Sequence, residues 1–441
     1  MAERRPILDM NAYAGGAEGD PLLARRMANV GAASVLFYDR PLALVRGRGV
    51  WVEAADGARY LDCYNNVLSV GHCHPRVVEA IAAQSADLAI NSRYLSEVVE
   101  RYLERLKATL PPALSNVVLC CSGSEANDLA MRAAMKTTGR RGFVVTEAAY
   151  HGNTLAVTEI SPSSWKRGGP PPHVRLVPAP TQAAYGEDVA GGFGRAVAAA
   201  AADLDAAGFG LAAFFADSIL SSDGVYGDPP GLLAPAVAAA QAAGGLYVAD
   251  EVQPGFGRTG AGLWGFARHG VRPDVVTMGK PMGAGYPMAG MATRPEILAA
   301  FCEDTGYFNT FGANPVAGAA GLAVLDVIED EGLIANAARV GGRLLAALQG
   351  LAAGDARIAE ARGAGLFIGV EIAGPDAGAR VRRLTEGLKA RGVLVGAAGR
   401  FGEALKLRPP LTLTDAEADF FLDAFAQALG DLPDADQSFF S

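Results

Sequence analysis

The sequence predicts an α/β fold: a mostly parallel sheet covered by helices on both faces, with a smaller α/β unit toward the C-terminus. Short, continuously apolar runs alternate with Ala-rich helical stretches from about residue 75 to 330, the pattern of strands buried on both faces. After about residue 320 the texture changes to longer amphipathic segments with fewer apolar runs. The 441 residues are half apolar and 19% charged, enough for two or three packed units and too apolar for disorder.

The elements follow in order. The first 60 or so residues end in VWVEAADGARYLDC and read as a short hairpin, with Gly47–Trp51 a turn entering a strand. Strands are expected at Val117–Cys121, Phe143–Thr146, Leu211–Phe215, Leu246–Ala249 and Val275–Met278, each a compact apolar run. Arg195–Ala206 and Leu232–Ala243 read as intervening helices. Ser161–Gln182 is rich in Pro and Gly and is expected to be an irregular surface loop. A long helix at Ala317–Glu329, an amphipathic one near Ala337–Leu348, a strand-like Gly365–Ile372, another helix and LKLRPPLTLT (Leu405–Thr414) complete the chain. The expected division is an N-terminal segment (1–65) packing on the small unit, a large domain (66–325) and a small C-terminal domain (326–441).

Charge and composition narrow the function. A net charge of −9 with no basic stripe argues against a nucleic-acid partner. Cys63, Cys73, Cys120, Cys121 and Cys302 lack regular spacing, which fits reduced thiols and a cytoplasmic location; Cys120 and Cys121 read as core. The N-terminus shows no apolar leader. Gly231–Ala249 is uncharged but holds Pro235, Gln241 and Gly244-Gly245, so it reads as helix then strand, and no membrane partner is expected. His72, Cys73 and His74 sit beside Pro75 without a second ligand pair, so no metal is expected.

Three segments carry chemistry. In LCCSGSEANDLAMRAA (Leu119–Ala134) a strand runs through Gly123 and Ser124 into a helix; free amides at a helix start suit a phosphate, although Ser124 is also an ordinary cap. In GLYVADEVQPGFGRTG (Gly245–Gly260) a buried strand ends at Asp250-Glu251. An acid there suits a pyridinium N–H, a metal or a salt bridge. In PDVVTMGKPMGAGYPMAG (Pro273–Gly290) a third strand ends at Lys280 between glycines, where a shielded amine has a depressed pKa suited to imine chemistry; a surface lysine in a turn is the plain alternative. Together, a phosphate cradle, a ring acid and a nucleophilic amine at the ends of one sheet meet the needs of pyridoxal 5′-phosphate (PLP), held as an imine on Lys280.

At this point the chain resembles the class III (subgroup II, ω-amino-acid type) PLP-dependent aminotransferases along nearly its whole length. The matching strings are GHCHP (Gly71–Pro75), SGSEAND (Ser122–Asp128), YHG (Tyr150–Gly152), ADEVQPGFGRTG (Ala249–Gly260), PDVVTMGKPMGAGYP and NTFGANP (Asn309–Pro315). The resemblance implies PLP fold type I: a large domain on a mostly parallel seven-stranded sheet and a small α/β domain from both chain ends. It also implies roles: Gly123 and Ser124 on the cofactor phosphate, Tyr150 stacked on the ring with His151 beside it, Asp250 on the ring nitrogen, Val252 on the opposite ring face, and Gln253 at the phenolic oxygen. Thr310 is implied to reach the phosphate of a partner subunit, and so a homodimer or higher assembly.

The resemblance implies transfer of an amino group from an amine or ω-amino acid to a keto acid, with Lys280 carrying the proton. Two departures point to a second reading. Asp217 stands in place of the first Glu of the usual Glu-Pro-Val-type string, Ser222 where a gateway Glu is usual, and Lys406 where a carboxylate-binding Arg is usual, with Arg408 two residues on. A lysine makes a point contact where arginine makes a fork. These departures, with NNV (Asn65–Val67), NSRYL (Asn91–Leu95) and YFNTFGANPV, look like the ammonia-forming phospho-lyases acting on phosphoethanolamine or phosphohydroxylysine. Asn66, Arg93, Tyr94, Ser222, Lys406 and Arg408 are then the substrate candidates, the three cations serving a substrate phosphate or standing as solvated surface charge.

Overall fold

The computed structural model describes residues 6–7, 9–15 and 19–432. Its centre is a seven-stranded sheet: β1 (Asn116–Cys120), β2 (Gly142–Thr146), β3 (Val174–Val177), β4 (Leu211–Asp217), β5 (Leu246–Asp250), β6 (Val275–Met278) and β7 (Ala289–Thr293). The spatial order is β1-β7-β6-β5-β4-β2-β3. β7 alone runs antiparallel to its neighbours β1 and β6. The strands are apolar throughout because helices cover both faces; every residue of β2, β5, β6 and β7 is buried.

The register aligns the strand ends that carry chemistry. Asp217 pairs with Asp250 and Asp250 with Thr277, so the C-terminal ends of β4, β5 and β6 form one rim. Ligands of parallel α/β sheets sit at that edge. Helix α1 (Gly123–Thr138) begins at the same rim after β1. Its start is fixed by a reciprocal cap: the Ser122 hydroxyl accepts from the Glu125 N–H at 3.2 Å, while the Glu125 carboxylate accepts from the Cys121 N–H at 3.0 Å. Gly139, at φ 66°, ends it in the left-handed conformation.

Two smaller sheets complete the rim. The strands Leu44–Arg48, Trp51–Ala54 and Arg59–Asp62 form an antiparallel ribbon, and Val393–Leu394 joins its edge in parallel. That pairing sets Tyr64, Asn65 and Asn66 close to Val395–Ala397. Ile358–Ala364, Phe367–Ile372, Ala404–Leu407 and Gly396–Ala398 form a second, antiparallel sheet. Within it Lys406 lies opposite Gly369 on one side and Gly396 on the other. Cross-strand partners share a face, so the Lys406 side chain stands between two positions without one.

Several expectations are corrected. Ser161–Gln182 is not a loop throughout: Val174–Val177 forms the edge strand β3, parallel to β2, because the Val-Arg-Leu-Val run outweighs the prolines before it. β7 and the strand Ile358–Ala364 were not anticipated; AGMAT and IAEARGA carry too few branched residues to look like strands. Cys120 is core at 1% exposure, but Cys121 is only half-buried, because α1 begins two residues on and turns it toward Asn309.

Candidate active site

Three side chains meet at the rim. Asp250 ends β5 and is buried. One of its oxygens faces the His151 Nδ1 at 2.7 Å and accepts from the Asn127 amide at 2.9 Å; the other accepts from the Val252 N–H at 3.1 Å. Asn127 also donates to the His151 carbonyl at 2.7 Å and accepts from the Thr277 hydroxyl at 2.7 Å. The carboxylate is thereby fixed in orientation. Glu251, the next residue, points the other way as strand alternation requires. It accepts from the Gly265 and Phe266 amides at 2.6 and 2.9 Å, and burial lifts its carboxyl to about 7.

Lys280 follows β6. Burial, and then the nearby Arg408 charge, bring its amine down from 10.5 to about 8. An amine so placed is available as a neutral nucleophile and base near neutral pH. The start of α1 lies opposite. A Cβ added at Gly123 would meet Val252 Cγ2 at 2.9 Å, and one at Gly152 would meet the Ser124 hydroxyl at 2.5 Å. Glycine is needed at both positions for the backbones to approach this closely.

These groups line two adjoining cavities. The inner one, of about 210 Å³, is bounded by Gly123, Ser124, Tyr150, Asp250, Val252 and Lys280. The outer one, of about 310 Å³, is bounded by Tyr64, Asn66, Val395, Lys406 and Arg408. Tyr150, Gln253 and Lys280 belong to both. The Gln253 amide ties the two together: its nitrogen donates to the Ser221 hydroxyl at 2.7 Å, and its oxygen accepts from Arg408 at 2.6 Å and Asn66 at 3.2 Å. The donor set of the inner cavity fits PLP. It offers amides at a helix start for a phosphate, a buried acid for a ring nitrogen, a low-pKa amine for the aldehyde, and a buried His151 Nε2 without a partner.

Lys406 and Arg408 are buried at 2% and 6% exposure. Arg408 lies over the Tyr64 ring at 4.5 Å. The Lys406 amine donates to the Ser221 carbonyl at 3.2 Å. Neither forms an ion pair with a carboxylate among the described residues, and no carboxylate lines the outer cavity there.

The remaining expected residues are placed as follows. Ser222 is buried beside this group, its hydroxyl without a partner and its carbonyl accepting from Gly399 at 3.0 Å. Asp217, its carboxyl raised by burial, lines the inner cavity and holds the Ser221 N–H at 2.8 Å and the Ser221 hydroxyl at 2.6 Å. Arg93, Tyr94 and Thr310 are exposed and reach neither cavity within the single chain. They lie together instead: the Ser92 hydroxyl bonds the Asn309 carbonyl at 3.3 Å and Arg93 covers the Phe308 ring at 4.3 Å. His72 and His74 face different carboxylates, Asp62 and Glu331. Sequence reasoning missed Asn127 and Ser221. Asn127 had a signal, an amide on the apolar face of a helix one turn past the phosphate loop; Ser221 had none.

Comparison with known proteins agrees with this geometry. The family model described as "Aminotransferase class-III" matches residues 37–429. A Drosophila melanogaster protein named alanine–glyoxylate aminotransferase 2-like is 38% identical over 92% of this chain and 86% of its own. A Caenorhabditis elegans ethanolamine-phosphate phospho-lyase homolog 1 is 35% identical over 90% of both chains. A solved Arthrobacter phospholyase in complex with phosphoethanolamine superposes with a TM-score of 0.88, at 41% identity, covering 93% of this chain and all of that one. With its strand-end lysine, acid and glycine loop set in that frame, the chain belongs to the class III aminotransferase family, enzymes of fold type I that use PLP on small amines and keto acids.

Proposed function

We propose that this protein is a PLP-dependent lyase that releases phosphate and ammonia from a short amine carrying an O-phosphate. The observation that supports it is the outer cavity wall: two buried cations, Lys406 and Arg408, with no carboxylate partner, open onto the Lys280 amine. Unpaired buried charges are costly, and a phosphate dianion offsets both. The neutral Ser222 adds no negative charge beside them. The Arthrobacter phospholyase, solved with phosphoethanolamine, supports the same reading.

In this reading Gly123 and Ser124 hold the cofactor phosphate, Tyr150 and Val252 sandwich its ring, His151 and Asn127 orient Asp250 on the ring nitrogen, and Gln253 reaches the phenolic oxygen. When bound, PLP supplies an electron sink conjugated to the amine-bearing carbon of the substrate. Lys280 takes the proton from that carbon, as its lowered pKa allows. Arg408, Lys406 and Asn66 hold the substrate phosphate, and the apolar wall at Val395–Ala397 limits water. We infer further that the protein is a homodimer. The exposed apolar side chains Tyr94 (63%), Leu95 (98%) and Phe311 (72%) flank Thr310, a patch suited to a partner subunit whose phosphate site Thr310 and Arg93 then approach.

The test is phosphoethanolamine with no keto acid present: phosphate and ammonia appear in equal amounts, and Lys280→Ala abolishes both. No phosphate above that control rejects the reading. Amine transfer is the second reading, favoured by the relatives named as aminotransferases and by an Arg408 fork that suits a carboxylate as well. It requires a keto acid such as pyruvate and yields no phosphate.

A further inference from the structure

We propose that Lys406 is the general acid of the elimination, giving a proton to the bridging oxygen of the substrate phosphate as the carbon–oxygen bond breaks. This rests on the lyase reading above and goes beyond binding, because it assigns the residue a chemical step.

Elimination from an O-phosphorylated amine sends the electron pair of the breaking C–O bond onto the bridging oxygen. Without a proton the leaving group is a phosphate trianion; with one it is hydrogen phosphate. The cavity offers few donors for that proton. Arg408 holds its charge but does not release a proton near neutral pH. Lys280 has just taken the carbon-bound proton. Burial pushes the Tyr150 phenol up, making it a poorer acid. Asn66 and Gln253 are amides. Lys406 is the remaining amine. It lines the outer cavity and, as an ammonium, spends one donor on the Ser221 carbonyl, leaving two N–H directions for the cavity.

Its surroundings supply the timing. Burial, then Arg408, then Lys280 depress its amine well below the ordinary lysine value, while Asp217 and Asp223 oppose them. Asp217 is satisfied by Ser221, and Asp223 by the Thr146 hydroxyl at 2.7 Å and the Ala148 amide at 3.0 Å. The ammonium of Lys406 is therefore a stronger acid than that of an ordinary lysine, and a phosphate dianion beside it gives the charge a partner. In the step itself an N–H bond of Lys406 breaks, an O–H bond forms on the departing oxygen, and hydrogen phosphate leaves. Lys406 ends neutral and Lys280 holds the carbon proton. The resulting enamine takes the Lys280 proton at its terminal carbon, and water adds to the imine so formed to give aldehyde and ammonia, with no oxidant or reductant needed.

Two variants separate charge from proton transfer. Lys406→Arg keeps the cation and removes the usable proton; Lys406→Met removes both. With phosphoethanolamine and the holoenzyme, both variants are expected to lose about 10²- to 10⁴-fold in kcat, while Lys406→Arg still binds inorganic phosphate. With 2-chloroethylamine, whose chloride leaves without a proton, the loss is expected to be far smaller. The pH profile of kcat on phosphoethanolamine reads the proton directly: wild type loses activity along an alkaline limb that Lys406→Met and Lys406→Arg lack. Elimination by Lys406→Arg at the wild-type rate, equal losses on both leaving groups, or an alkaline limb unchanged in both variants overturns this role and leaves the lyase reading standing. A wild type that transfers amines but releases no phosphate overturns the lyase reading and this role with it.

Discussion

Replacing Lys280 by Met should abolish activity and stabilise the cofactor-free protein. Burial, with Arg408 second, takes the Lys280 amine from 10.5 to about 8. At about 1.4 kcal/mol per pKa unit, holding that ammonium in the folded apoprotein near pH 7 costs about 3 kcal/mol. Lys280 is partly open to the cavity, so screening reduces the expected gain to about 1–3 kcal/mol. The sign follows from proton counting. The folded-state value is the lower one, so the unfolded chain binds more protons between about pH 8 and 10.5, and stability rises with pH across that window. The advantage of Lys280→Met is therefore full below about pH 8 and gone above about pH 10.5. A chain of 441 residues has an unfolding entropy of about 0.9 kcal/mol per degree, so the melting midpoint should rise by about 1–3 °C at pH 7. Near-ultraviolet circular dichroism melts of both apoproteins at one scan rate, near pH 7 and pH 10.5, measure it. A midpoint equal to or below wild type at pH 7, or a gain that persists at pH 10.5, refutes the reasoning.

Asp250→Asn keeps the side-chain size but removes the charge from the ring site and turns one of the two accepting oxygens into a donor. Turnover should fall by at least about 10²-fold while phosphate binding in the outer cavity is kept, as activity assays and phosphate titration will show. Gly123→Ala forces a Cβ to within 2.9 Å of Val252; cofactor affinity should weaken by about tenfold or more, read by absorbance titration of the apoprotein. Leu95→Glu with Phe311→Glu places charge on the proposed subunit boundary. Light scattering should show monomers, and cofactor affinity should fall with them because Thr310 loses its neighbour.

What the sequence disclosed and what it hid have physical causes. Gly123, Asp250 and Lys280 were legible because each closes a compact apolar strand, and a parallel sheet collects such ends along one edge. Lys406 and Arg408 were named, but their burial was not foreseeable. It depends on Gly369 and Gly396 on neighbouring strands, and on Tyr64 from the other end of the chain. Ser221 acts partly through its backbone carbonyl, which every residue type carries. Thr310, Arg93 and Tyr94 depend on a surface a single chain leaves open. β7 escaped notice because Ala-Gly-Met-Ala-Thr has the composition of a turn, yet packing between two apolar neighbours makes it a strand.

That reversed strand also shapes the pocket. Strands lie about 4.8 Å apart, so inserting β7 between β1 and β6 separates the glycine loop from the lysine by roughly two spacings. Because β7 points the opposite way, the helix that follows it starts at the far edge of the sheet, and only its entry turn, running on from Lys280, lies on the rim side. The slot for a flat cofactor is thus a gap in traffic: one lane of the sheet sends no outgoing helix to the rim. Lengthening that entry turn is the simplest route by which this architecture could narrow its own doorway without touching any group inside.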